Sequence, residues 1–158
     1  MSKATQAVRP IRVIVGEDDA SVRQAVAEAI GRQPGMTVVG TAADAEEAIE
    51  VALRERPDVA VLDVKMPAGG GPRATREIGR VSPATRVVAL SAHDDRVSVA
   101  EMLRAGALSY VVKGAPIGEL LEAIERASRG LASLSGAAAA SVARDLDERM
   151  ARRERRDE

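Results

Sequence analysis

The sequence predicts an α/β fold, a doubly wound parallel sheet of five strands with helices on both faces. From Ile11 onward, short runs rich in β-branched residues alternate with longer segments of helical periodicity, and this alternation repeats five times. Each strand segment is apolar along most of its length, as expected for strands that are buried on both faces. The alternation of strands and helices predicts parallel strands, and right-handed crossovers between them make the sheet doubly wound.

Five segments are predicted as strands: Arg12–Gly16, Thr37–Gly40, Val59–Leu62, Arg86–Leu90 and Ser109–Val112. Five helices are predicted over about Ala20–Arg32, Asp44–Arg54, Pro72–Arg80, Asp95–Arg104 and Ile117–Arg129. Asp44 is the expected N-cap of the second helix, and Gly106 and Gly130 end the fourth and fifth. The third helix is the least regular, because three consecutive glycines precede Pro72.

The composition changes after Gly130, which predicts three parts: a flexible N-terminus over 1–10, a single domain over 11–130, and a linker with a charged C-terminal helix over 131–158. Between Arg144 and Glu158 the tail carries six arginines and six acidic residues. Such a segment suits a solvated helix, or a coiled-coil or linker helix that leads into another domain.

Length and charge narrow the class of protein. A chain of 158 residues with 46% apolar content can bury one sizeable core. With 23 basic and 24 acidic residues, the net charge of −1 gives no reason to expect nucleic acid or a membrane surface as a partner of these residues. Cysteine is absent, and there is neither an apolar leader nor a bilayer-spanning run, so a cytoplasmic location is expected.

Polar side chains follow four of the five predicted strands at the point where each strand ends. Glu17 and Asp18 follow the first strand, Asp63 the third, Ser91 the fourth and Lys113 the fifth. Because ligands of an open parallel sheet bind outside the carboxyl ends of its strands, we expect these side chains to form one shallow cleft.

The expected cleft has the chemistry of a phosphoryl-transfer site. Three neighbouring carboxylates repel one another unless a cation lies among them, and hard oxygen ligands without His or Cys point to Mg²⁺. The Asp63 carboxylate is then the nucleophile for a phosphoryl group, and Lys113 offsets the charge on its oxygens. Ser91 is placed to donate its hydroxyl to a phosphoryl oxygen once the group has arrived.

These residues resemble the response-regulator receiver family, over roughly Ile11 to Gly130. In that family an acidic pair ends the first strand, a phosphoacceptor Asp the third, a Ser or Thr the fourth and a Lys the fifth, with the spacing found here. The resemblance implies a flavodoxin-like sheet with strand order 2-1-3-4-5 and five helices. It also implies that a histidine kinase donates the phosphoryl group to Asp63, and that the protein is a signalling switch that catalyses its own phosphorylation and dephosphorylation.

The resemblance assigns further roles to four residues. Tyr110 matches the family's aromatic switch, which turns inward when Ser91 moves toward the phosphoryl group; the alternative is an ordinary strand aromatic, half-buried against the fourth helix. Lys65 would lend its backbone carbonyl to the metal. Lys65 and His93 match positions that tune the lifetime of the phosphorylated state, although His93 also suits a solvated loop residue.

The output of such a switch stays open. The surface of the fourth helix, fifth strand and fifth helix is expected to recruit a partner or to form a homodimer, unless a missing C-terminal effector domain follows. A DNA-binding or cyclic-dinucleotide effector would fit, but no recognition helix is present in these residues.

Three other functions are weaker alternatives. A pseudo-receiver that binds partners without phosphorylation would keep the fold but would normally have lost one of the residues present here. A haloacid-dehalogenase-like phosphatase needs an Asp-x-Asp pair, which Asp63-Val64-Lys65 is not. A dinucleotide-binding fold needs a glycine-rich turn after the first strand, where this chain is acidic.

Overall fold

A computed structural model describes residues 9–92, 96–134 and 147–156. Strands and helices alternate along the chain, and their bounds are β1 (Ile11–Gly16), α1 (Ala20–Gly31), β2 (Met36–Ala42), α2 (Ala45–Glu55), β3 (Val59–Asp63), α3 (Gly70–Val81), β4 (Arg86–Ser91), α4 (Arg96–Ala105), β5 (Ser109–Val112), α5 (Ile117–Ser128) and β6 (Ser133–Leu134). Residues 147–156 form a further helix, within the segment for which a charged helix is predicted.

The six strands form one sheet in the order β2-β1-β3-β4-β5-β6, and each neighbouring pair is parallel. The predicted order of the first five strands is therefore confirmed. Since every connection between these strands contains a helix, the carboxyl ends of β1, β3, β4 and β5 lie along one edge. This edge carries the predicted site.

Two apolar clusters cover the two faces of the sheet. One contains Ile14 and Leu62 with buried side chains of α2, α3 and α4, and the other contains Val13 and Val61 with side chains of α1 and α5. Neighbouring residues of one strand thus enter opposite cores, as the two-residue period of a strand requires. Burial on both sides explains why the strands read as continuous apolar runs rather than as alternating ones.

The helix starts follow local capping chemistry. The Asp44 carboxylate accepts a hydrogen bond from the Glu47 N–H (2.8 Å), which confirms Asp44 as the N-cap of α2. Asp19 caps α1 in the same way, through the N–H groups of Ser21 (2.9 Å) and Val22 (3.1 Å). Each cap satisfies N–H groups that have no partner within the helix.

The strand β6 was not predicted. Ser133 and Leu134 pair with Ser109 and Tyr110 on the outer side of β5, so the sheet extends one strand beyond the expected five. Two residues are too few to produce a recognisable alternation of apolar and polar side chains, and the pairing involves backbone groups that any residue supplies.

Residues 1–8 make up most of the predicted flexible N-terminus, and they lie outside the described part of the chain. Among the helices that are described, none is both long and apolar enough to cross a bilayer.

Candidate functional site

Three carboxylates meet at the carboxyl edge of the sheet. Glu17 and Asp18 directly follow β1, Asp63 is the last residue of β3, and one oxygen from each lies within 4.8 Å of the others. The Glu17 and Asp63 side chains are buried, whereas Asp18 is exposed. The structure therefore brings together the three side chains predicted to ligate a metal.

Lys113, which directly follows β5, connects this acidic cluster to the end of that strand. Its Nζ donates to Oδ2 of Asp63 (3.1 Å) and to Oε1 of Glu17. Its backbone N–H donates to the carbonyl of Ser91 (2.7 Å), so the ends of β4 and β5 are joined next to the cluster. The Lys113 ammonium is thus in direct contact with Asp63, the predicted phosphoacceptor.

Two pKa values reflect how closely these charges are packed. The pKa of Asp18 is raised, first by its hydrogen bond with Glu17 and second by a small loss of solvation at this exposed carboxyl. Burial on its own would lower the pKa of Lys113. The hydrogen bonds and negative charges of Glu17 and Asp63 outweigh burial, so the Lys113 pKa is raised and its ammonium stays protonated.

The donor set fits a hard divalent cation. Three carboxyl groups share one ammonium, which leaves an excess of acidic oxygens, and no His or Cys takes part in the described cluster. Glu17, Asp18 and Asp63 are the side chains that would hold Mg²⁺. Lys65 lies two residues after Asp63 and its N–H donates to Asp63 Oδ1 (3.4 Å), while the role of its carbonyl as a ligand stays a prediction.

The turn that carries Glu17 is fixed by an arginine that sequence reasoning missed. Nη1 of Arg23, in the first turn of α1, donates to the backbone carbonyl of Glu17 (2.7 Å). The sequence offers only a weak signal for this contact, a basic residue where a helix N-terminus disfavours positive charge.

The start of α3 sits directly on the end of β3. Helix α3 begins at Gly70, two residues before the predicted start, because the N–H of Gly71 donates to the carbonyl of Val64 (2.8 Å). A Cβ at Gly71 would lie 2.5 Å from the carbonyl oxygen of Asp63 and 2.9 Å from Cα of Val64. Only glycine allows this approach, since both atoms belong to backbone.

Gly71→Ala is therefore expected to push α3 away from the strand that ends in Asp63, and to lower the free energy of unfolding by about 1–3 kcal/mol. Urea unfolding followed by circular dichroism measures this loss. Gly79→Ala, in the same helix, is the matched control, because a Cβ there meets no atom within 4 Å. Equal effects of both substitutions would show that the close approach carries no strain.

The predicted switch residues both lie inside the domain. Ser91 ends β4 and is fully buried, and Tyr110 is likewise 0% exposed, the largest of the fully buried side chains. Tyr110 belongs to the core under α2, α3 and α4, so its side chain is fully buried rather than half-buried. Its role as the aromatic switch, as opposed to an ordinary strand aromatic, stays a prediction. His93 lies outside the described residues, and its predicted effect on lifetime stays a prediction.

The chain is similar to proteins of one family over most of its length. The sequence model of the response regulator receiver domain matches residues 13–125. The uncharacterized transcriptional regulatory protein YxjL of Bacillus subtilis is 37% identical over 132 residues, which cover 84% of this chain and 61% of that protein. The transcriptional regulatory protein PdtaR of Mycobacterium tuberculosis is 41% identical over 120 residues, covering 75% of this chain and 57% of that protein. The chain thus spans about three-fifths of the length of these relatives.

Solved structures agree with this assignment. A two-component response regulator of the LuxR family from Aurantimonas superposes with a TM-score of 0.81 at 33% identity, covering 87% of this chain and 98% of that one. The receiver domain of the response regulator NarL from Mycobacterium tuberculosis superposes with a TM-score of 0.74 at 32% identity, covering 78% of this chain and 99% of that one. Fold, sequence match and relatives lead to one conclusion: the chain belongs to the response regulator receiver family and is the receiver domain of a two-component response regulator.

Proposed function

We propose that this receiver accepts a phosphoryl group on Asp63 from a histidine kinase in a Mg²⁺-dependent reaction. The observation that carries the proposal is the contact of Asp63 Oδ2 with the Lys113 ammonium (3.1 Å), beside two further carboxylates. The protein acts on its own side chain, catalysing its own phosphorylation and dephosphorylation, and is a switch rather than an enzyme with a separate substrate.

In the proposed reaction an oxygen of the Asp63 carboxylate forms a bond to phosphorus while the bond from phosphorus to the imidazole nitrogen of the donor breaks. The imidazole leaves with the electron pair of that bond and takes up a proton from solvent. Lys113 Nζ is positioned to offset negative charge on the transferred group, and its raised pKa keeps it cationic for this task. When bound, Mg²⁺ would neutralise further charge on the phosphoryl oxygens.

Ser91 supplies the proposed response to phosphorylation. It is buried at the end of β4, and its carbonyl is joined to the Lys113 N–H (2.7 Å), so it lies one strand away from the phosphoacceptor. A hydrogen bond donated by the Ser91 hydroxyl to an oxygen of the arriving phosphoryl group would shift the end of β4 and the start of α4. Tyr110, packed in the core beneath α4, would report or transmit that shift.

A kinase that donates to Asp63 needs a docking surface nearby, and one groove of the domain supports such a role. An apolar groove of about 230 Å³ lies beside Lys113 and is bordered by Val22 and Val26 of α1 and by Ile117 and Leu120 of α5. Ile117 is 49% exposed, so part of the apolar lining of this groove is open to a partner. This groove is a suitable docking surface for the kinase.

The proposed output surface is the face formed by α4, β5 and α5, which would recruit a partner or form a homodimer. The described C-terminal segment reaches this face, because β6 pairs with β5 and Glu148 forms an ion pair with Arg96 at the start of α4. The relatives YxjL and PdtaR are named as transcriptional regulatory proteins and are longer than this chain. A further effector domain that controls transcription is therefore part of the proposal.

The test is phosphoryl incorporation, measured by intact mass after incubation with Mg²⁺ and acetyl phosphate. Wild type is expected to gain the mass of one phosphoryl group, and neither Asp63→Asn nor wild type with excess chelator is expected to gain it. Asp58→Asn is the matched control, since Asp58 lies at the opposite end of β3. Unmodified wild type, with folding verified, would contradict the proposal and favour the pseudo-receiver.

A further inference from the structure

We propose that Arg23 is a positioning residue for the Mg²⁺ site, acting through Glu17. This inference rests on the proposed function, because it concerns the cation that phosphorylation of Asp63 requires. Arg23 does not reach the carboxylates that would ligate the metal. It donates instead from Nη1 to the backbone carbonyl of Glu17 (2.7 Å), and so acts on the turn from which two of the three carboxylates project.

Every polar group of Glu17 has a partner within the protein. Its N–H donates to the carbonyl of Ala42 (2.9 Å), which ties the turn to the end of β2. Its Oε2 accepts from the N–H of Asp19 (3.1 Å), and its Oε1 accepts from Lys113. The contact with Arg23 completes this set, and it anchors the backbone of the turn to a side chain of α1.

Burial makes the arginine contact costly to lose. Glu17 is 2% exposed, so water can do little to replace a missing donor at its carbonyl. Without Arg23 the turn is expected to reorient until the carbonyl finds water, and the Glu17 and Asp18 side chains would move with it. The three carboxylates would then no longer be held together before the metal arrives.

The position of Arg23 in its helix favours a role at the site over a role in helix stability. Asp19 caps α1, and the N–H of Arg23 donates to the Asp19 carbonyl (2.8 Å), which places Arg23 within the first turn. A positive charge there opposes the helix dipole. Among the acidic residues of this region, however, the same charge lowers the repulsion that collecting three carboxylates creates.

The experiment measures Mg²⁺ affinity directly, by titration monitored in ¹H–¹⁵N NMR spectra, for wild type, Arg23→Ala and Arg23→Lys. Residues that orient metal ligands typically contribute 10- to 100-fold to affinity, so Arg23→Ala is expected to raise the Kd for Mg²⁺ by about that factor. Arg23→Lys keeps a donor and a charge, and is expected to recover part of the loss. Arg32→Ala, just beyond the other end of α1 and exposed, is the matched control and is expected to bind Mg²⁺ as wild type does.

A second readout separates positioning from packing. With acetyl phosphate, Arg23→Ala is expected to need more Mg²⁺ for half-maximal phosphoryl incorporation, and to approach the wild-type rate when Mg²⁺ is saturating. An unchanged Kd for Mg²⁺ in Arg23→Ala, even with lower thermal stability, would overturn the inference. A rate that saturating Mg²⁺ does not restore would overturn it as well.

The outcome for wild type tells the two proposals apart. If wild type binds Mg²⁺ and is phosphorylated on Asp63, and Arg23→Ala has the same Kd for Mg²⁺ and the same phosphoryl incorporation, only the proposed role of Arg23 is wrong. If wild type neither binds Mg²⁺ nor is labelled, the proposed function fails and the role of Arg23 falls with it. Should Arg23→Ala not fold, a wild-type Kd for Mg²⁺ in a folded Arg23→Met variant, which keeps a long side chain but has neither the donor nor the charge, overturns the inference and a raised Kd supports it.

Discussion

Lys113→Ala is expected to lower the rate of phosphoryl incorporation into Asp63 by about 100- to 1000-fold, the usual effect of removing one donor that stabilises a transition state. Lys113 Nζ is the cationic group that contacts Asp63 in the described structure, at 3.1 Å from Oδ2. Without it, Glu17 and Asp63 are left as neighbouring buried carboxylates with no positive partner at the end of β5.

The measurement is the time course of intact mass with acetyl phosphate at saturating Mg²⁺. Lys113→Arg, which keeps the positive charge but places it in a planar guanidinium, is expected to fall between wild type and Lys113→Ala. Thermal unfolding of all three proteins serves as the control for folding. A Lys113→Ala rate within tenfold of wild type would mean that the ammonium organises the resting site and takes no part in the transfer.

Tyr110→Ala is expected to lower the free energy of unfolding by about 3–5 kcal/mol, the range found when a buried aromatic ring is removed. Tyr110 is the largest of the fully buried side chains. The chain contains no Phe or Trp, so its core is built from Val, Ala, Leu, Ile and Met. These smaller side chains cannot close the resulting cavity without moving strands or helices.

Urea unfolding of Tyr110→Ala, compared with Tyr110→Phe, separates the contribution of the ring to the free energy of unfolding from that of the hydroxyl group. Tyr110→Phe keeps the volume in the core and is expected to lose only about 1 kcal/mol. If Tyr110→Ala lost no more than Tyr110→Phe, the pocket around the ring would have to be collapsible. Burial of the Tyr110 ring would then contribute little to the free energy difference between the two states of the switch.

Much of the site was predictable because its chemistry is concentrated where strands end. The residues Glu17, Asp18, Asp63 and Lys113 are far apart in the sequence, but parallel strands with helical crossovers force their positions to one edge. Their grouping follows from topology, and topology follows from the alternation of strand and helix patterns. The structure brings these four residues together as predicted.

Other features depend on backbone contacts that leave little trace in composition. The start of α3 is set by the N–H of Gly71 and the carbonyl of Val64, so the run of glycines before the predicted start at Pro72 is partly helical. The carbonyl that Arg23 contacts is likewise a group that every residue has. The full burial of Tyr110 depends on how closely the helices pack over β5, and local periodicity carries no information about that distance.

The pairing of β6 with β5 has a consequence for how copies of this protein behave at high concentration. A sheet that ended at β5 would present unpaired N–H and C=O groups along a mostly buried strand, a template onto which another chain could add. The two residues of β6 instead engage Ser109 and Tyr110 and leave a very short outer strand. The segment that follows α5 is thereby expected to reduce edge-to-edge aggregation of the sheet.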